Sequence, residues 1–203
     1  MTQDAMSNDQ RFLAAIDRFD AANGCDPNVE RCDGEDVPKE LLYAQRMSQR
    51  LESFVPDASL AVQLAARSQH IQRWQTPRTD YPAGRDGYRR WRSDLAIFHA
   101  DTAERILEEV GYDASTIDRV RLLLRKERLK ADPDCQILED VICLVFLEHY
   151  LSDFAGRHDE QKLVNILRRT WKKMSGRGHE AALELDLPQN VRALLDKATV
   201  ASD

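Results

Sequence analysis

Apolar residues along the 203-residue chain recur at helical spacing over nearly its whole length. Phe12, Ile16 and Phe19 share one face of a first helix over about 8–22, which ends near Asn23-Gly24. Residues 25–37 mix acidic groups with Gly and Pro and read as a connector. A second helix follows Pro38, with Leu41, Leu42, Gln45, Ser48 and Leu51 repeating at helical spacing, and stops before Val55-Pro56. Asp57 or Ser59 can cap a third over 60–71, where Leu60, Leu64 and Ile71 recur at intervals of four and seven. Residues 75–87 hold Pro77, Pro82, Gly84 and Gly87, too many breakers for a helix, and predict a loop of the length that often carries function. A long fourth helix over 88–110 closes at Gly111, and a fifth, capped by Asp113 or Ser115, runs to about Glu127. The sixth begins after Pro133 and carries residues 141–147 without a polar interruption; a helix apolar all round belongs at the centre. An amphipathic helix over 163–174 and a short last one holding Leu194-Leu195 complete the pattern.

No stretch sustains strand alternation with hairpin turns. The expectation is therefore an all-α chain, a single compact multi-helix bundle around a central apolar helix near 135–155. Residues 1–36 form an acidic N-terminal helix and connector, and residues 37–203 the main helical domain with its C-terminal helices.

Composition narrows the class. With 42% hydrophobic and 32% charged residues but only 8 Gly and 7 Pro, the chain is neither collagen-like nor disordered. Its longest apolar run is seven residues, too short to span a bilayer. The opening Met-Thr-Gln-Asp-Ala-Met-Ser-Asn-Asp has neither the basic start nor the apolar core of a secretory signal, so a cytoplasmic location is expected. The four cysteines form no CxxC pair and read as packing or connector residues.

The net charge of −6 sits within residues 1–36, where nine acidic groups face Arg11, Arg18 and Arg31. An acidic total disfavours sequence-independent nucleic-acid binding. Residues 67–92 are different: Arg67, Arg73, Arg78, Arg85, Arg89, Arg90 and Arg92 face only Asp80 and Asp86, interleaved with Trp74, Tyr81, Tyr88 and Trp91. Lysine is absent from 40–125, yet five lysines lie in 126–173. A GC-rich genome writes Arg for Lys; guanidinium groups are also what a site needs to grip phosphate or carboxylate oxygens and to stack on rings.

His70, His99 and the Glu139-Asp140 pair are polar groups where a helical core would not place them without reason. In the fourth helix, Tyr88, Arg92, Leu95 and His99 follow spacings of four, three and four, on the stripe that holds Trp91, Phe98 and Ile106. Buried charges need partners: His99 is either a satisfied core histidine or a ligand, and Arg92 either pairs with a carboxylate such as Asp140 or faces an anion. Lys126 could join such a site, as could Lys172 or Lys173 beside the Gly176–Gly178 turn, although a solvated helix end accounts for the last two. Glu148-His149 and His158 read as exposed. No serine has a nucleophile-elbow context.

The strings Leu42-Tyr43-Ala44-Gln45-Arg46-Met47, Leu64-Ala65-Ala66-Arg67-Ser68-Gln69-His70-Ile71, 98–107 from Phe98-His99 onward and Leu138-Glu139-Asp140-Val141 resemble, in order, the helices of the HD superfamily of metal-dependent phosphohydrolases, over roughly residues 40–150. The resemblance implies metal-ligand positions at His70, His99 and Asp140. It departs at Tyr43, where the first metal His is expected, at Ile71, which replaces the Asp of the signature pair, and at Arg125-Lys126, where a further His often follows. Without the bridging Asp, at most one divalent metal (Fe, Mn, Zn or Co) is implied. More specifically, Gln69-His70-Ile71-Gln72-Arg73-Trp74, Pro77-Arg78-Thr79-Asp80-Tyr81-Pro82 and Thr170-Trp171-Lys172-Lys173-Met174-Ser175 resemble the uncharacterised domain-of-unknown-function 4202 family, which brings no activity with it.

Together these readings favour a degenerate HD-like domain for a phosphorylated or nucleotide-like anion. Arg67, Arg73, Arg78, Arg85, Arg92 and Lys126 are the candidate grips, Trp74 and Tyr81 the candidate stacking rings, and Glu139, Tyr88 and Trp91 the supports. Either His70, His99 and Asp140 hold one metal, giving a phosphohydrolase, or they form a hydrogen-bonded cluster. The alternatives are a non-catalytic adaptor docking a protein through its acidic N-terminus and Arg-rich surface, and an accessory RNA-binding protein that stacks unpaired bases.

Overall fold

Ser7 caps the first helix reciprocally: its hydroxyl accepts from the Gln10 N–H while the Gln10 side chain accepts from the Ser7 N–H. The computed structural model describes residues 6–156 and 159–199; His158 lies outside the described residues. Helix α1 (Asn8–Asn23) is followed by a hairpin of β1 (Val29–Cys32) and β2 (Glu35–Pro38), then α2 (Lys39–Phe54) and α3 (Leu60–Ser68). Helices α4 (Gly84–Val110), α5 (Ala114–Arg125) and α6 (Pro133–Val145) come next. A π turn over Phe146–Tyr150 runs on into α7 (Leu151–Ala155), and α8 (Glu160–Trp171), α9 (Gly176–Leu183) and α10 (Gln189–Thr199) finish the chain. The all-α expectation holds, with α6 at the centre: it packs on α2, α3, α5 and α9, and Leu138, Val141 and Leu144 are buried in the shared core.

The hairpin corrects the reading of residues 25–37 as an irregular connector. Asp33 and Gly34 both have positive φ (50° and 87°), the geometry of a type I′ turn, and Glu30 pairs with Val37 and Arg31 with Asp36 in antiparallel register. The Asp-Gly pair was the signal; strands of four residues are too short to show alternation. A second difference is α9, which occupies what reads in sequence as a Gly-marked turn. Gly178 is needed there because a Cβ would lie 2.7 Å from Asp140 Oδ1.

Residues 69–83, between α3 and α4, are wired tightly. Arg78 donates from Nη1 to the Tyr81 carbonyl and from Nη2 to the Pro82 carbonyl, both at 2.8 Å, and Trp91 Nε1 donates to the Thr76 carbonyl at 2.9 Å. Helix α4 therefore begins at Gly84, earlier than its sequence breakers suggest. Ala15 and Phe19 of α1 belong to the same core cluster as Val191 and Leu195 of α10, so the packing is continuous across residue 36. Among the described residues no helix is long and apolar enough to cross a membrane.

Candidate functional site

Helix α2 has no side-chain cap at Pro38, and the role falls to Asp26: its Oδ2 accepts the Glu40 backbone N–H at 3.0 Å. That fixes the first turn of α2, which carries Lys39, Glu40 and Tyr43 along one face. Tyr43 stacks on His70, ring centroids 4.1 Å apart and planes 14° off parallel. His70 sits just past α3, where Gln72 turns left-handed (φ 51°) and gives its N–H to Asn23 Oδ1 at 2.9 Å. The His70 ring is 5.9 Å from that of His99 in α4. Its Nδ1 lies 3.4 Å from Glu40 Oε2, and Arg73 Nη1 lies 3.3 Å from the same nitrogen. Arg73 in turn sits 5.2 Å from the centroid of Trp91, a cation–π contact.

Two adjoining cavities share Gln69, His70, Arg92 and Lys126. The larger, about 620 Å³, is walled by α2, α4, α6, the π turn and α8. Six cations line it, Lys39, Arg73, Arg92, Lys126, Arg169 and Lys173, against the carboxylates of Glu40 and Glu139; Tyr43, Tyr88, Phe146 and Tyr150 supply rings. The smaller, about 210 Å³, is lined by Ser93, Leu95, Ala96, His99, Leu124 and Arg125 together with the shared residues. Phe146 and Tyr150, at the two ends of the π turn, continue the wall that Ile142 and Cys143 begin.

The electrostatics are those of an under-neutralised basic site. Lys126 is itself the left-handed residue that ends α5 (φ 55°), and its Nζ is 2.5 Å from Glu139 Oε2, with Lys173 Nζ 3.3 Å from Oε1. Burial lowers the Lys126 pKa despite that partner, and Arg92 and Lys173 push it the same way. For Glu139 burial alone would raise the pKa, but the two ammonium groups outweigh it and hold the carboxyl below its ordinary value. Glu40 is raised by burial. His70 is driven well below 6.5 by burial and by Arg73 and Arg92, and His99 is pushed down to about 3 by burial and then by His70. Both imidazoles are neutral. Arg92 is exposed rather than buried as its helical stripe predicts, and it has no hydrogen-bond or ion-pair partner among the described residues, so it does not pair with Asp140.

Of the sequence candidates, His70, Arg73, Tyr88, Arg92, Lys126 and Glu139 meet in the larger cavity and His99 in the smaller. Others are engaged elsewhere. Arg67 grips Asp20 with two guanidinium nitrogens, the Nε–Oδ1 distance being 2.7 Å. Arg78 is spent on the carbonyls of its own loop. Trp74, Tyr81 and Arg85 line neither cavity, and Trp91 acts from behind Arg73. Asp140 accepts from the Ser175 N–H (2.8 Å), the Ser175 hydroxyl (2.6 Å) and Gln136 Nε2 (3.1 Å). Gln136 also donates to the Lys173 carbonyl, so Asp140 anchors the turn that presents Lys173.

The three residues implied as metal ligands are thus not gathered together, and among the described residues no group of three or more His, Cys, Asp or Glu could hold a metal ion. The ring of Tyr43 stands against His70. Sequence reasoning missed Lys39, Glu40, Gln69, Tyr150 and Arg169, and set Lys173 aside as solvated. Glu40 was detectable in principle, since it lies three and seven residues before the buried Tyr43 and Met47.

Fold and site together define an all-helical chain with a basic cavity built over a buried Tyr–His stack. The chain belongs to the family described as Domain of unknown function (DUF4202), whose model matches residues 13–195. No curated protein and no solved structure shows significant similarity to it.

Proposed function

We propose that the chain binds a phosphorylated or nucleotide-like anion in the larger cavity, on a scaffold resembling an HD domain whose metal site has been replaced. The observation that carries this is the convergence of six cations on two carboxylates, with Arg92 unpaired, in a protein whose total charge is −6. Lys39, Arg92, Arg169 and Lys173 are exposed and hydrated, so the cost of unmatched positive charge falls on the half-buried Arg73 and Lys126. Lys126, its pKa depressed by burial among other cations, gains most from an anion. Tyr43 against His70 supports ligand binding over one-metal phosphoester hydrolysis, because the HD resemblance expects the first metal His at Tyr43.

Titration calorimetry with pyrophosphate and with nucleoside 5′-monophosphates tests this reading. Each charge-assisted hydrogen bond contributes about 1.5–3 kcal/mol. Arg92→Ala and Lys173→Ala, both at exposed positions, are expected to weaken binding at least about tenfold, with affinity falling as salt is raised. Affinities unchanged in both variants, or no binding at millimolar concentrations, would remove the proposal.

A further inference from the structure

The smaller cavity is lined by Arg92, Arg125 and Lys126 and, among the described residues, by no carboxylate. The three cations are held in different ways. Arg92 is exposed and without a hydrogen-bond or ion-pair partner among the described residues. Arg125 lies 3.0 Å from Glu127, an exposed pair of the kind that contributes little, and Glu127 does not line the cavity. Lys126 is half-buried, and its partner Glu139 belongs to the wall of the larger cavity. The exposed Ser93 adds a hydroxyl donor. An anion entering this space therefore meets donors and cations with no like charge lining it.

Arg92 and Lys126 line both cavities, so the two spaces adjoin across cations. Lys126 is the telling residue. It ends α5 in a left-handed conformation (φ 55°) that glycine takes at lower cost, and burial beside Arg92 and Lys173 lowers its pKa. Glycine would end the helix as well and bring no charge to either cavity. Size sets what the smaller space can take. Its volume of about 210 Å³ is roughly seven times the share of one water in the liquid. That is room for a phosphoryl group, and it falls below the roughly 300–1,000 Å³ of sites that enclose a drug-sized molecule. A group bound in the larger cavity leaves Arg125 and Ser93 unused, because neither lines it.

We infer that the two cavities form one divided site for a ligand with two phosphoryl groups, the second of which lodges in the smaller cavity against Arg92, Arg125 and Lys126. The inference rests on the phosphate reading above and narrows the ligand class from a phosphorylated compound to a bisphosphorylated one. Planar guanidinium forks suit phosphoryl oxygens, and Lys126, common to both spaces, faces whichever group is nearer.

The test is calorimetry on the full chain at physiological salt, comparing each bisphosphate with its monophosphate: pyrophosphate with inorganic phosphate, adenosine 3′,5′-bisphosphate with adenosine 5′-monophosphate, and fructose 1,6-bisphosphate with fructose 6-phosphate. At least one bisphosphate should bind about tenfold or more tightly than its partner. Extra ligand charge alone would also favour the bisphosphate, so two exposed arginines separate the causes. Arg125→Ala, at a position that lines only the smaller cavity, should cut that margin to about threefold or less while monophosphate affinity stays within about twofold. Arg169→Ala, at a position that lines only the larger, should weaken both partners alike. Equal affinity within every pair, with the monophosphates bound, overturns the divided site and leaves the phosphate reading standing. A margin that survives Arg125→Ala overturns it as well, as does an equal loss for both partners in that variant. Failure of every probe to bind at millimolar concentrations overturns both readings.

Discussion

His70 and His99 show how much one residue's surroundings decide. In sequence they are two imidazoles on helical stripes; in the fold each is neutral because burial and nearby cations penalise the charged form. That makes a pH prediction with a fixed sign. Both folded-state pKa values lie below the unfolded value of about 6.5, so the unfolded chain takes up protons that the native one refuses. Their contribution to stability is complete above pH 6.5 and declines on acidification, for His99 down to about pH 3. Between pH 7 and 5.5 the loss is roughly 1 kcal/mol for each histidine. Glu40, raised by burial, opposes part of it, since a carboxyl with a raised pKa favours the folded state at lower pH. Urea unfolding at the two pH values should therefore show a net loss of about 1–2 kcal/mol on acidification, and an unchanged midpoint would mean that the imidazoles are not buried neutral. Asp140 makes the complementary point. Its burial was legible, its role was not, because a chain pattern cannot say whether a buried carboxylate faces a ligand or Ser175, which lies 35 residues away.

At the scale of elements, helices were legible wherever caps and periodicity agreed. Asp113 accepts from Thr116 as expected, Ser59 caps α3 and Pro133 opens α6. What failed was the short and the remote: a hairpin of four-residue strands, the π turn, and a cap supplied from outside its own helix. Asp26 is that cap, buried and accepting three times: from the Glu40 N–H, the Asn28 N–H (2.9 Å) and Asn28 Nδ2 (2.8 Å). It holds the hairpin's entrance to the helix that carries Glu40 and Tyr43. Replacing Asp26 with Ala should destabilise the protein by about 1–2 kcal/mol, the worth of a good cap, and should also weaken anion binding by loosening the first turn of α2. Denaturant unfolding together with pyrophosphate titration checks both; a loss below about 0.5 kcal/mol would show that Asn28 and water replace it.

For the whole molecule, charge sets residues 1–36 apart, yet their apolar side chains pack into the shared core. Phe19 and Ala15 are fully buried, Asp20 holds Arg67, and Asn23 receives the Gln72 N–H beside His70. The first 36 residues thus support the core and the site together. Composition could not reveal this, since the acidic groups that colour the segment lie mostly on its outer face while its few apolar residues do the packing. Removing the segment takes away Phe19, and a buried Phe lost to a cavity costs about 3–5 kcal/mol on its own; it also strips the Asp26 cap and leaves Arg67 half-buried without its partner. Domains hold only about 5–15 kcal/mol in total. A chain of residues 37–203 is accordingly expected to lose its cooperative thermal transition, while Phe19→Leu in the full chain should keep the transition at a lower midpoint. Circular dichroism melts decide it: a truncated chain that melts cooperatively and still binds pyrophosphate would make the segment an appendage, and its acidic surface would then be free to serve as a docking arm.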